Sequence, residues 1–149
     1  MDKQNYETFK FKRMKTKIVS KLTLLGIAFF YASITFAQHS TPWNVPNSAK
    51  EKNNLYLPDK SSIARGQKSY NLECLCCHGE EGKGDGSCAI KIKKIVADLT
   101  SVYVQNQTDG ELFWKISEGR SPMPLAKKTL TDDQRWDVVN YIRTFKKKE

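Results

Sequence analysis

Apolar residues recur at helical spacing in three segments of the chain. The first segment runs from about Ser62 to Cys76. The second has Thr108 as its N-cap and Glu111 three residues later, a capping box, and stops at Gly119. The third repeats this device at Thr131 and Gln134 and carries apolar residues at Trp136, Val138, Val139, Tyr141, Ile142 and Phe145. No stretch alternates between apolar and polar positions as a strand does, so the predicted fold class is all-α.

A continuous apolar block, Leu22 to Ala37, lies near the N-terminus and follows Lys15, Lys17 and Lys21. This order predicts a secretory signal over residues 1–37, with cleavage between Ala37 and Gln38. The alternative is an uncleaved anchor, although a spanning helix needs about 20 apolar residues and the block has 16. Residues 1–13 are a candidate upstream extension, since Met14 begins a more conventional leader. The leader predicts an exported protein, associated with the membrane only if the leader is retained.

The exported part divides into an arm and a compact region. Residues 38–60 contain Pro42, Pro46 and Pro58, which predicts an extended arm or linker. Its candidate anchors are Trp43, Leu55, Tyr56 and Leu57. Residues 61–149 are the predicted domain. With three helices and long loops it has a thin core, and a large apolar cofactor would stabilise it.

Composition and charge exclude one class of partner. The chain is 39% hydrophobic and 28% charged, with a formal net charge of +9. Residues 1–37 contribute +5 of this charge, which leaves +4 for the rest. Because binding to a phosphate backbone requires a dense positive surface, no nucleic-acid partner is predicted.

The candidate chemistry lies in the sequence Cys74-Leu75-Cys76-Cys77-His78, which contains C-x-x-C-H. Two thiols three residues apart on a helical turn can each add across one vinyl group of a haem, and the next residue places an imidazole under the iron. The motif therefore predicts one haem c held by Cys74 and Cys77, with His78 as iron ligand. The alternatives are a zinc site from these residues with Cys88, and a thioredoxin-like redox pair, which would require a βαβ context.

The second axial ligand is predicted to be Met123. Met1 and Met14 fall in the leader, so Met123 is the sole thioether of the exported part, and Pro122 and Pro124 stiffen its loop. Ligation by His and Met is a known way of raising a haem potential. The alternative is an ordinary core methionine that fills a gap.

The order C-x-x-C-H, G-x-G-D-G, P-M-P and a closing amphipathic helix resembles the class I, mono-haem c-type cytochromes of bacterial periplasms. The resemblance covers Ile63 to Phe145. Its segments are Ala64 to Gly66 with Tyr70, Cys74 to Gly79, Gly82 to Gly86, Ala97 to Leu99, Asp109 to Trp114, Pro122 to Pro124 and Arg135 to Arg143. It implies a cytochrome c-like fold in which three main helices surround one covalently bound haem, and a location in the periplasm.

The resemblance also implies particular contacts. Gly66 and Tyr70 on the first helix should cross Val138 and Tyr141 on the last. A backbone carbonyl near Ala97 should orient His78, although this chain has Ile95 and Val96 where the family usually has proline. In that fold the region of Cys76 and the region of Cys88 both lie near the exposed haem edge. These cysteines are therefore expected either to form a disulfide or to remain two free thiols.

The predicted function is electron transport by a haem protein that is not an enzyme and takes no small-molecule substrate, because His78 and Met123 fill both axial positions. Its partners would be redox proteins. Six lysines either attract acidic partners of this kind or form a solvated basic face: Lys83, Lys91, Lys93, Lys94, Lys127 and Lys128. The alternative is a peroxidase-like enzyme or ligand sensor in which Met123 leaves the iron, with Arg120 as the nearby candidate for proton transfer.

Overall fold

A computed structural model describes residues 42–92 and 94–146. The predicted leader and its cleavage site lie outside the described residues. The chain divides after Pro42, and the unit that begins at Trp43 is the one considered below. Six α-helices occur in the described part: α1 Asn47–Lys50, α2 Lys60–Glu73, α3 Leu75–His78, α4 Val102–Gln105, α5 Asp109–Glu118 and α6 Asp132–Arg143. Single 3₁₀ turns cover Ala89–Lys91 and Ala126–Lys128.

The all-α prediction is confirmed, since the described residues contain no strand beyond one isolated bridge between Arg120 and Met123. None of their helices has the length and apolar character needed to cross a membrane. Both predicted capping boxes form, at Thr108 with Glu111 and at Thr131 with Gln134. The predicted N-termini of α5 and α6 are therefore correct.

The first predicted helix differs from the structure at both ends. It begins at Lys60, because the Asp59 carboxylate accepts a hydrogen bond of 2.7 Å from the backbone N–H of Ser62 and caps the helix. At its C-terminus the helix is interrupted at Cys74, and α3 continues for one turn as far as His78. The C-x-x-C-H motif thus has a helical turn of its own.

Helices α2 and α6 cross closely at Gly66, as the resemblance implied. A Cβ atom on Gly66 would lie 2.0 Å from the Asp137 carbonyl oxygen, so only glycine allows this approach. The Tyr70 ring packs edge-on against the rings of Tyr141 and Phe145, with centroids 5.2 and 5.6 Å away. Val138 is fully buried in the same interface. The crossing therefore joins the helix before the C-x-x-C-H motif to the last helix.

Helix α6 is buried on every side from Arg135 to Ile142, including its polar positions. The Asp137 carboxylate accepts hydrogen bonds from Ser62 Oγ at 2.6 Å and from Arg65 Nε at 2.7 Å. The Asn140 side-chain amide donates to Ser62 Oγ at 2.8 Å and to the Tyr56 carbonyl at 3.2 Å. Because these polar groups are paired, their burial costs little net free energy.

The arm before α2 packs against the domain in part. Val45 is buried, and α1 forms where an extended segment was expected. The end of α1 meets α5, where a Cβ on Gly110 would lie 2.0 Å from the Ala49 carbonyl oxygen. Of the candidate anchors, Tyr56 donates a hydrogen bond of 2.6 Å to Asp133, whereas Leu55 and Leu57 are 87% and 80% exposed. The division of the chain at residue 60 stays a prediction.

Candidate haem-binding site

Helix α3 brings the C-x-x-C-H side chains together on one turn. The backbone N–H groups of Cys77 and His78 both bond to the Cys74 carbonyl, at 3.1 and 2.9 Å. Residues three apart on a helix lie on the same side, so Cys74 and Cys77 point in a similar direction. Both are free cysteines and both are partly buried. This is the arrangement that two thioether bonds to one planar macrocycle require.

Burial raises the pKa of the Cys74 thiol to about 12, and the nearby charge of Glu73 adds to the shift. Cys74 and Leu75 also pack against the hydrophobic core. The thiol therefore lies on an apolar wall, which suits contact with a porphyrin edge better than metal coordination by a thiolate.

The other two cysteines form a disulfide. Cys76 and Cys88 are bonded, with their Cα atoms 5.1 Å apart. Of the two alternatives left open by the sequence, the structure therefore has the disulfide. Because this bond consumes two of the candidate zinc ligands, Cys74 and Cys77 are the thiols that remain. Among the described residues no cluster of His, Cys, Asp and Glu side chains is placed to hold a metal ion.

A glycine-rich loop after α3 satisfies the carbonyl groups at the end of that helix. Gly84 donates its N–H to the His78 carbonyl at 2.8 Å, and Gly86 donates to the Cys77 carbonyl at 3.2 Å. A Cβ on Gly86 would lie 2.2 Å from the Cys76 carbonyl oxygen. The loop G-x-G-D-G therefore packs too closely on the motif for larger residues at this position.

The imidazole of His78 is oriented by the backbone of Ala97. Nδ1 lies 3.2 Å from the Ala97 carbonyl oxygen, and since a carbonyl only accepts, Nδ1–H is the donor. The second ring nitrogen then has a free lone pair, which is the form that binds iron. Burial lowers the pKa of His78, and the bond to Ala97 opposes that shift. The sequence indicated that a carbonyl was needed near Ala97 but did not identify the residue.

Met123 lies in a tight loop between α5 and α6. Its N–H donates to the Arg120 carbonyl at 2.9 Å, and the Arg120 N–H donates to the Met123 carbonyl at 3.0 Å. Gly119, with a φ of +59°, begins the loop, and a Cβ there would lie 2.3 Å from the Pro124 carbonyl oxygen. The Met123 side chain is partly buried and packs against the core. A pair of backbone hydrogen bonds thus fixes the backbone of Met123, in addition to the two prolines.

Two interactions of charged side chains hold this loop in place. Lys94 Nζ donates to the Ser121 carbonyl at 3.1 Å. Lys127 and Glu118 form an ion pair of 2.6 Å across the base of the loop.

Among the six lysines proposed for docking, Lys83 is paired with Glu81. Lys93 lies outside the described residues. Three of the five that the structure describes therefore have partners within the chain, and the part of these lysines in docking stays a prediction.

Arg120, the candidate for proton transfer in the sensor or peroxidase alternative, has another contact. Its guanidinium carbon lies 4.4 Å from the centroid of the Trp43 ring, a cation–π distance. The side chain is thus in contact with the N-terminal arm.

The residues present fit a haem c. Two free thiols one helical turn apart suit attachment to the porphyrin, and an imidazole whose second nitrogen has a free lone pair and a thioether on a clamped loop suit the iron. Soft sulfur and imidazole are ligands that iron in a haem accepts.

Comparisons with known proteins identify the family to which the chain belongs. Cytochrome c-L of Methylorubrum extorquens is 28% identical over 130 residues, which is 87% of this chain and 62% of that relative. Cytochrome c6 of Parathermosynechococcus lividus is 26% identical over 82 residues, which is 55% of this chain and 88% of that relative.

A solved structure, from the reducing HAO-like protein complex of Kuenenia stuttgartiensis, superposes with a TM-score of 0.54 at 30% identity. The match covers 62% of this chain and 47% of that one, so the chain spans less than two thirds of cytochrome c-L and about half of the solved chain. Residues 63–146, which include Cys74, Cys77, His78 and Met123, match the family model described as Cytochrome c. This match covers more than half of the chain, and the protein therefore belongs to the cytochrome c family.

Proposed function

We propose that this protein is an electron carrier that holds one haem c through thioethers to Cys74 and Cys77, with His78 and Met123 as the axial ligands. The observation that carries the proposal is the hydrogen bond between His78 Nδ1 and the Ala97 carbonyl at 3.2 Å, on the same helical turn as two free thiols. This hydrogen bond directs the lone pair of the second ring nitrogen of His78 away from the backbone. When bound, the haem supplies a single-electron exchange between Fe(II) and Fe(III).

The residues of the chain hold the group and tune it. Cys74 and Cys77 would hold the haem, because each thiol would add its sulfur and its hydrogen across one vinyl double bond with no atom lost. Met123 offers a soft thioether that stabilises Fe(II) relative to harder donors. Because both axial positions are then filled by the protein, we expect no open iron site, no small-molecule substrate and no enzymatic activity.

Attachment is tested by replacing pairs of cysteines in the exported protein. The change Cys74→Ala with Cys77→Ala should abolish covalent haem, so that acid extraction with an organic solvent removes all colour from the polypeptide. The matched control is Cys76→Ala with Cys88→Ala, which removes the disulfide and leaves C-x-x-C-H intact. Colour retained by the first double variant after extraction would refute the proposed attachment.

Axial ligation is tested at Met123. Met123→Ala should open a position that binds external ligands, and Met123→His should lower the reduction potential, because imidazole favours Fe(III) more than a thioether does. Leu125→Ala is the matched control on the same loop and should leave both properties unchanged. If Met123→Ala keeps the low-spin spectrum and the potential of the parent, another group ligates the iron. A high-spin, ligand-binding parent protein would instead favour the sensor or peroxidase alternative.

We also propose that the protein acts in the periplasm and exchanges electrons with redox proteins. The support is the predicted leader of residues 1–37 and the membership of the cytochrome c family. Fractionation of cells into periplasm and membranes tests the location.

A further inference from the structure

Trp43, at the start of the described unit, packs next to helix α5. Its ring meets that of Trp114 edge-on, with centroids 6.1 Å apart and planes at 82°. Trp43 is partly buried, although it lies twenty residues before the region that the family model matches. An aromatic pair in this geometry contributes beyond the area that it buries.

Two cations converge on the same indole. The Arg120 guanidinium carbon lies 4.4 Å from the ring centroid, and Lys115 Nζ lies 5.9 Å from it. Tryptophan is the side chain that attracts cations most strongly through its π face. Burial lowers the pKa of Lys115; the Glu111 carboxylate opposes this shift, and the like charge of Arg120 adds to it. The indole therefore favours a side-chain position for Arg120 that charge repulsion alone would disfavour.

Arg120 is also the residue that clamps Met123. The two exchange a pair of backbone hydrogen bonds of 2.9 and 3.0 Å, so a shift of the Arg120 backbone moves the Met123 backbone with it. Arg120 thus has its side chain against the arm and its backbone against the methionine. The contacts form a continuous chain from Trp43 to Met123 through Arg120.

We propose that Trp43 is a positioning residue for Met123, acting through Arg120, and that the N-terminal arm thereby strengthens the bond between the thioether and the iron. The proposal rests on the proposed function, in which Met123 is an axial ligand. A weaker contact at Trp43 gives Met123 more freedom to leave the iron, and an external ligand then competes more successfully for its position.

The test measures the affinity of the ferric holoprotein for imidazole, together with the charge-transfer absorption band of a methionine–iron bond. Trp43→Ala should bind imidazole about fivefold more tightly than the parent, the effect expected from losing one cation–π contact, and should show a weaker band. Trp43→Phe keeps an aromatic face and should restore most of the parent's affinity. Arg120→Gln removes the cation and leaves the arm in place. It should bind imidazole about fivefold more tightly than the parent as well, so it tests the contact even if Trp43→Ala folds poorly.

The matched control is Tyr56→Phe, which removes the hydrogen bond to Asp133 from the same arm. It should leave imidazole affinity unchanged. The proposal is overturned if Trp43→Ala and Arg120→Gln both bind imidazole as the parent does, or if Tyr56→Phe tightens binding equally, since that would show general loosening of the arm. If the parent itself binds imidazole as tightly as Met123→Ala does, the proposed axial ligation fails, and this inference fails with it.

Discussion

Replacing Gly66 by alanine tests the helix crossing that supports the site. The new Cβ would lie 2.0 Å from the Asp137 carbonyl oxygen and 3.0 Å from Tyr141 Cβ. The first of these atoms belongs to the backbone and cannot rotate away. Because ordinary contacts begin near 3.4 Å, helices α2 and α6 would have to separate by more than 1 Å.

The expected magnitude follows from two opposing terms. Forcing a methyl group into a packed interface costs about 1–3 kcal/mol, and a backbone contact favours the upper end of that range. Alanine recovers about 1 kcal/mol of helix propensity relative to glycine. The separation would also loosen Tyr70 and Val138, which are fully buried. We therefore expect Gly66→Ala to lower the free energy of unfolding by about 2 kcal/mol.

Guanidinium unfolding of the holoprotein measures this change. With a slope of about 4 kcal/mol per molar, the midpoint should fall by about 0.5 M. The matched control is Gln67→Ala, at an exposed neighbouring position of α2, and its midpoint should stay near that of the parent. A Gly66→Ala midpoint equal to or above the parent's would show that the crossing is not as close as the structure has it.

Four further predictions concern the cap, the disulfide, the pH dependence and the leader. Thr131→Ala removes the capping box of α6 and should lower the free energy of unfolding by about 1 kcal/mol, measured with denaturant; an unchanged midpoint would contradict it. Cys88→Ser should lower it by about 2–3 kcal/mol, because the disulfide closes a short loop, while extraction still finds covalent haem. The hydrogen bond from Ser62 lowers the pKa of Asp59, so its stabilisation is complete above the ordinary carboxyl pKa and is lost as the pH falls through the folded-state value. Asp59→Asn should therefore flatten the acid limb of stability against pH, and an identical acid limb would count against this cap. Intact mass should show that the exported chain begins at Gln38, and a full-length, membrane-bound chain would favour the anchor.

Features decided by nearby residues were predictable from the sequence. The starts of α5 and α6 depend on capping boxes four residues long, and their hydrogen bonds form as expected. The start of α2 was placed two residues late, because Asp59 lies in a segment whose prolines indicated an extended arm. The interruption at Cys74 has no such local signal, since the apolar pattern continues through it.

Contacts between distant segments were not predictable in the same way. Asp137 and Asn140 have the sequence pattern of an exposed helix face, yet both are buried, because Ser62 and Arg65 supply their hydrogen bonds from the other helix. The Ala97 carbonyl reaches His78 across nineteen positions. The disulfide depended on a Cα separation that only a structure gives.

Two of the contacts between the arm and the domain have different consequences. Tyr56 and Asn54 bond to Asp133 and Asn140 of α6, so they stabilise the helix crossing. Trp43 instead contacts Arg120, next to Met123. The family match begins at residue 63, so it contains the predicted iron ligands and none of these arm residues. The proposed haem-binding residues thus belong to the shared domain, whereas the strength of the proposed methionine ligand depends, on our inference, on a contact outside it. Chains of this family with the same C-x-x-C-H and P-M-P motifs can then differ in ligand strength without any change in the ligands themselves.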